Sequence, residues 1–447
     1  MFNMFKLKRF AFPTIALLLP FVSVAQAVID LNEVIRIGLE NNYDLKITRN
    51  EQRISDNNQT LGNAGFLPSL GLSSGYSVRE SNTDQYPADG NEAVATRNSA
   101  TKTLDAGLNL NWTLFEGFKV QTNHKRLQEL KSVGELNTRL EVENFIAGIS
   151  AEYYNYVQQT LRMRNLRQAL NLSRERLRIV EARYQIGSLS RLDLQQARVD
   201  FNADSSQLIQ QYEVLHSSRI LLNEMMGTGN VEQHFMAADT TISFDPMLSK
   251  PALYDNMMKV NTALLLTEKN KVLSELDLKT VQSQNYPYLR LNGGYGFTHF
   301  DYNKGNIDKQ RNWGPTVGMT LGFTIFDGFN RSREQKNARI RIDNRELQVE
   351  RQKLMLQSDF ANMWLAYQNN IQLTNLEKES LENAQINYEI AMDRYKLGDL
   401  SGILLREAQV SLLQAEQRLL TAQYRTKLYE ISLLQISGKI GEYLSAH

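Results

Sequence analysis

The chain of 447 residues contains no cysteine. That excludes disulfides, thiolate-held zinc, iron–sulfur clusters, thiol nucleophiles and a lipid-modified N-terminal cysteine. Histidine is scarce too: His124, His216, His234, His299 and His447 are scattered, and none has the HxxxH or HExxH spacing that puts two imidazoles on one helix face. No G-x-S-x-G elbow or phosphate-cradling glycine loop occurs, since Gly293-Gly294-Tyr295-Gly296 lies in a strand pattern and opens no helix. No metal, cofactor or enzymatic reaction is expected. The 50 Lys and Arg nearly balance the 49 Asp and Glu, which removes any broad electrostatic case for nucleic acid. Runs of roughly 20 apolar residues are missing, so a bundle of transmembrane helices is excluded. With only 8 prolines, long uninterrupted helices are permitted.

What is present begins with an address. Lys6, Lys8 and Arg9 precede an apolar stretch from Phe10 to Val24, which ends in Ala25-Gln26-Ala27. A basic start, a short apolar middle and a small-x-small end predict a secretory signal peptide over 1–27, and hence work outside the cytoplasm, where no ATP supply exists.

The rest is written twice. Phe115-Glu116-Gly117-Phe118 recurs as Phe326-Asp327-Gly328-Phe329. Arg183-Tyr184-Gln185-Ile186-Gly187 recurs at the same spacing as Arg394-Tyr395-Lys396-Leu397-Gly398, as do Ala197 in Ala408 and Gly227 in Gly438. A constant spacing held over so much chain means two structural repeats. They are expected at 28–227 and 252–447, with 228–251 as connector.

Each repeat opens with a helical region and continues with two runs of period two. In the first run Leu70, Leu72, Tyr76 and Val78 alternate with Ser69, Gly71, Ser73, Gly75 and Ser77. Strands are predicted near 68–79, 105–115, 288–299 and 316–326, about ten residues each, with one apolar face and one small or polar face. That length and alternation suit either a soluble sheet with one buried face or a tilted membrane wall around water. The small residues opposite the apolar face, and the polar stretches Arg79–Leu104 and Asp301–Pro315 between strands, favour the membrane. Four strands cannot close a barrel, and an open edge in lipid strands its backbone groups. Several chains must then share one barrel: two give 8 strands, three give 12.

After each Phe-x-Gly-Phe, a helical pattern without proline runs to Tyr184 and to Tyr395, a rod of about 100 Å at ~1.5 Å per residue. Gly187 and Gly398 break these rods, and a second helix returns. Leu405, Ala408, Leu412, Ala415, Leu419 and Ala422 form a heptad seam on the second returning helix. Its counterpart carries Asp204 and Gln211 on the line, polar residues that mean water or a register device. Tyr153, Tyr156, Trp364 and Tyr367 are assigned to packing between helices.

In this order and spacing, the tandem repeat, the strand pairs, the Phe-x-Gly-Phe exits and the Arg-Tyr-x-x-Gly tips resemble the TolC family of outer-membrane efflux and secretion channels. The resemblance covers essentially the whole sequence after the signal peptide. It implies a mainly α fold with a small β part, closing as a homotrimeric 12-stranded β-barrel continued by an α-helical barrel across the periplasm. It also implies a passive exit duct of a tripartite efflux pump or type I secretion system, embedded in outer-membrane lipid. A periplasmic adaptor and an inner-membrane pump of RND or ABC type are the implied partners, and an iris-like gate lies at the helix tips. By the family's pattern Asp193 and Tyr395 would form a gate latch, although Asp193 equally suits a helix start. Of two carboxylate rings at the mouth, Leu404 replaces one and Glu407 keeps the other as a pore constriction that favours cations. Leu400 stands where the best-known member has an arginine. Gly187, Ser188, Leu189, Gly398, Asp399 and Leu400 are the implied adaptor-docking tips. The competing reading is a soluble periplasmic coiled-coil scaffold or adaptor.

Overall fold

The computed structural model describes residues 27–90 and 92–441. The signal peptide expected over 1–27 lies outside the described residues except for its last position.

The chain starts with a short strand β1 (Ala27–Ile29), then helices α1 (Leu31–Asn41), α2 (Tyr43–Asn58) and α3 (Leu61–Ala64). Each helix opens on a side-chain cap: Asp30, Asn42 and Thr60 accept from the backbone N–H three residues on. The hairpin β2 (Ser69–Gln85) and β3 (Val94–Glu116) follows. The long helical hairpin α4 (Lys119–Gln185) and α5 (Arg191–Met226) completes the first half. The connector contains β4 (Phe235–Ala237), which pairs in parallel with β1. The second half repeats the plan as α6 (Lys250–Val260), α7 (Thr262–Ser283), β5 (Tyr288–Tyr302), β6 (Lys309–Gly322), α8 (Asn330–Leu397) and α9 (Gly402–Ile436).

The four long strands form one antiparallel sheet in the order β2-β3-β5-β6, so the two repeats meet at β3 and β5. Among the described residues β2 and β6 are free edges, and the sheet is open. The strands differ in extent from the sequence expectation. β2 and β3 continue pairing from Arg79↔Thr101 to Gln85↔Val94, through what reads as a polar loop, and β6 begins at Lys309. Backbone pairing needs no apolar side chains, so the ladder outlasts the alternation that reveals it. At the other end β6 stops at Gly322, short of the 326 expected, and Phe326-Asp327-Gly328-Phe329 turns into α8.

Gly117 shows why that turn motif needs its glycine. Its φ is +56°, and a Cβ there would lie 2.1 Å from the Ser283 carbonyl oxygen of α7. The strand-to-helix exit is thus pinned against the opening helix of the other repeat.

Apolar side chains gather in three places along the helices. Tyr153, Val157, Val34, Ile35 and Leu222 are buried where α1, α4 and α5 meet. Phe360, Trp364, Tyr367 and Met257 form the matching cluster of the second half. Tyr156 also donates to the Phe235 carbonyl at 2.9 Å, tying α4 to the small parallel sheet. Val180, Leu194, Tyr388, Ala391, Leu405 and Ala408 form the third cluster, toward the tips, where both hairpins pack together. On the α9 seam Leu405, Ala408, Ala415 and Ala422 are buried.

Candidate functional site

The tips are built by capping chemistry. α4 ends with Ser188 N–H donating to the Arg183 carbonyl at 2.9 Å and Gly187 N–H to that of Tyr184 at 3.0 Å. α8 ends the same way, Asp399 N–H to Arg394 at 3.0 Å and Gly398 N–H to Tyr395 at 3.1 Å. Gly187 and Gly398 take φ of +77° and +86°, the left-handed backbone such an ending uses. Gly187, Ser188 and Gly398 are exposed, Asp399 pairs with Arg394 at 2.8 Å, and Leu189 and Leu400 pack against the tip cluster.

The helices restart differently. Ser190 Oγ accepts from Asp193 N–H at 3.2 Å, and the Asp193 carboxylate accepts from Ser190 N–H at 3.0 Å and Ser190 Oγ–H at 2.7 Å. These bonds, the hydroxyl first, hold the Asp193 carboxyl below the usual range. In the second hairpin Ser401 caps Leu404 N–H at 3.4 Å, and Leu404 has no carboxylate to return the bond.

The expected latch is therefore not a direct bond here. No hydrogen bond joins Asp193 to Tyr395, because the carboxylate is taken up by its own helix start. Tyr395 is buried and lies under the Arg183 guanidinium, 5.2 Å from the ring centroid. Arg183 donates onward to the Tyr395 and Lys396 carbonyls at 3.2 and 3.0 Å, binding the end of α8 to the end of α4. Burial raises the Tyr395 hydroxyl pKa; Arg183 and Arg176 oppose that shift, and the Asp193 charge adds to it. Glu407 is exposed on α9, and its side chain has no hydrogen-bond or ion-pair partner among the described residues.

The strongest link between the two hairpins lies deeper. Arg406 on α9 donates to both oxygens of Asp204 on α5, at 2.7 and 2.8 Å. Asp204 also accepts from Ser173 of α4. Gln409 donates to the Ala169 carbonyl at 3.1 Å and to Ser173 Oγ at 3.2 Å. A second buried pair, Arg176 with Asp200, ties α4 to α5 beside it. A cavity of about 160 Å³ adjoins the cluster, lined in part by Gln207, Gln414 and Gln417. Asp204 sits where the apolar seam is interrupted, a signal visible in sequence, but Arg406, Ser173 and Gln409 were not singled out.

On the sheet, one face carries Ser69, Gly107, Asn109, Asn111, Asn292 and Thr320, with Asp105 and Arg290 as its ionisable residues along that stretch. The other face carries Leu72, Val317 and Leu321, which are 79%, 81% and 73% exposed in one chain and covered by no other element among the described residues. No helix among the described residues is long and apolar enough to cross a membrane, which says nothing of strands.

Comparison with known proteins gives a consistent picture. The family model for outer membrane efflux protein matches residues 34–228 and 261–439. Outer membrane protein TolC of Vibrio cholerae serotype O1 is 21% identical over 426 residues, covering 92% of this chain and 90% of the relative. Among solved structures, the outer-membrane channel OprN superposes with a TM-score of 0.73 at 18% identity, over 92% of this chain and 90% of that one. The Campylobacter jejuni CmeC outer membrane channel superposes with 0.74 at 16% identity, over 92% and 85%.

Proposed function

Because this chain belongs to the outer membrane efflux protein family, and so works in the outer membrane and periplasm, we propose that it is the exit duct of a tripartite efflux pump or type I secretion system. Three copies close their sheets into a 12-stranded barrel, and their helical hairpins continue as a tube through the periplasm. Conduction is passive. An inner-membrane pump of RND or ABC type supplies the energy, and a periplasmic adaptor docks at the tips around Gly187, Ser188, Leu189, Gly398, Asp399 and Leu400.

The observation that carries this reading is the open sheet. Among the described residues its apolar face has no cover, and its edge strands β2 and β6 have no partner. In lipid each unpaired backbone group costs several kcal/mol, so the edges must be joined by other copies. The helices point the same way. Leu347 and Leu354, one heptad apart on α8, are each 67% exposed, a seam left for a neighbouring chain. A soluble scaffold would leave both surfaces in water and is not favoured.

The gate in this proposal is the set of contacts between hairpins near the tips. Arg183 on the α8 terminus and Arg406 on Asp204 hold the resting state, and Asp193 and Tyr395 lie beside them. Opening by an iris-like movement separates these contacts, and three copies of Glu407 around the axis bias conduction toward cations. The test is reconstitution: the purified protein should run as a trimer by native mass and conduct in planar bilayers. A detergent-free monomer that forms no channel would overturn the proposal.

A further inference from the structure

We infer that the outer rim of the sheet binds the phosphate groups of an anionic outer-leaflet glycolipid through Lys102, Lys309 and Arg311. The inference rests on the apolar face of the sheet lying against lipid.

The ladder lets that face be read in rows. One apolar row is Leu72, Leu108, Tyr295 and Pro315; the next is Ser74, Ala106, Phe297 and Trp313. Above it stand Tyr76, Leu104, His299 and Arg311, and above those Val78, Lys102, Asp301 and Lys309. No register shift interrupts these rows, so the three cations point to the same side as Leu108 and Trp313. The change from apolar to charged is complete within two rows, about 7 Å apart along the strand.

Aromatic side chains at the edge of an apolar band mark the head-group level of a bilayer. Arg311, two residues beyond Trp313, and the two lysines one row further on stand at the depth of lipid phosphates. All three are exposed, and none makes an ion pair or side-chain hydrogen bond among the described residues. Asp301 stands between the two lysines in the ladder and Glu80 one row beyond Val78 on the same face, so the rim has three cations to two anions, and no ion pair among the described residues consumes the cations. A guanidinium offers a fork to phosphate oxygens and an ammonium offers a point charge.

The end of the sheet decides which leaflet is involved. The helices leave from Glu116 and from beyond Gly322, at the opposite end of the strands, so the cationic rim faces away from the periplasm. The outer leaflet is the one built of phosphorylated glycolipid.

The experiment is native mass spectrometry of the full-length protein in detergent with bis-phosphorylated lipid A, the same lipid dephosphorylated, and phosphatidylglycerol. Bis-phosphorylated lipid A should be retained at least about tenfold more strongly than the dephosphorylated form. The triple variant Lys102→Gln/Lys309→Gln/Arg311→Gln should lose that preference while still conducting in planar bilayers. Equal retention of both lipid A forms by the unaltered protein overturns the inference, and needs no variant. Equal retention of phosphatidylglycerol overturns the assignment to glycolipid, and displacement of lipid A by excess inorganic phosphate supports phosphate recognition. Channel activity of the unaltered protein is measured separately, so failure of the duct reading and failure of the rim are told apart.

Discussion

Arg406 meets Asp204 with two parallel hydrogen bonds of 2.7 and 2.8 Å, joining the returning helix of the second hairpin to that of the first. Residues 202 apart in sequence are held in a fork geometry that a lysine could not reproduce. The Asp204 side chain is 5% exposed and that of Arg406 21%, so the pair is screened from water on one side more than the other.

Removing one partner strands the other. Asp204→Ala leaves a buried guanidinium uncompensated, a cost on the order of 3–5 kcal/mol for a fully buried pair and less here because Arg406 keeps some solvent. Thermal unfolding should show it. Single-channel conductance of Asp204→Ala should rise, and Asp204→Leu with Arg406→Met should recover stability while remaining open. Conductance unchanged in both would remove this contact from the gate.

Asp193 and Tyr395 can be separated by a double-mutant cycle. A helix-cap role for Asp193 makes the conductance effects of Asp193→Ala and Tyr395→Phe independent, whereas a latch that forms in another state makes them strongly non-additive. Independence is the outcome expected from the bonds Asp193 makes with Ser190.

The same carboxyl gives a pH signature. Its folded pKa is lowered, so the stability it contributes is present above its unfolded pKa, about 3.9, and is lost as pH falls through the folded value. Asp193→Asn should lower stability at neutral pH and flatten the profile through that acid window, the two proteins converging at the acid end. Ser190→Ala, which removes the reciprocal bond, should cost about 1 kcal/mol.

Glu407→Gln should lower the cation-to-anion permeability ratio, read from reversal potentials in asymmetric salt. An unchanged ratio would mean the three carboxylates do not line the narrowest point.

Two glycines with similar backbone angles should behave differently. Gly117→Ala drives a Cβ onto the Ser283 carbonyl and should disrupt the strand-to-helix exit. Gly187→Ala meets nothing within 4 Å and should cost only the left-handed strain, about 1 kcal/mol. Trimer yield after refolding distinguishes them.

Period and repetition made most of the fold legible. The Phe-x-Gly-Phe and Arg-Tyr-x-x-Gly motifs mark where strands become helices and where helices turn, because those positions need particular backbone angles. The outer parts of β2 and β3 were hidden, since Glu80, Ser81 and Thr83 pair without any apolar rhythm. At the candidate gate, Asp204 stood out as a polar residue on an apolar seam, but its partner lies in the other repeat, beyond the reach of spacing. Asp193 was legible as part of Ser190-x-x-Asp193, a helix-start pattern, and the bonds it makes are the ones that local pattern describes.

The two restarts at the tips, Ser190 with Asp193 and Ser401 with Leu404, differ by the two bonds that the Asp193 carboxylate accepts from Ser190. In an assembled ring this makes alternate teeth unequal: one is clamped at its root, while its neighbour frays at lower cost. A pull from outside would bend the softer tooth first, so a ring that looks sixfold would move with threefold rhythm.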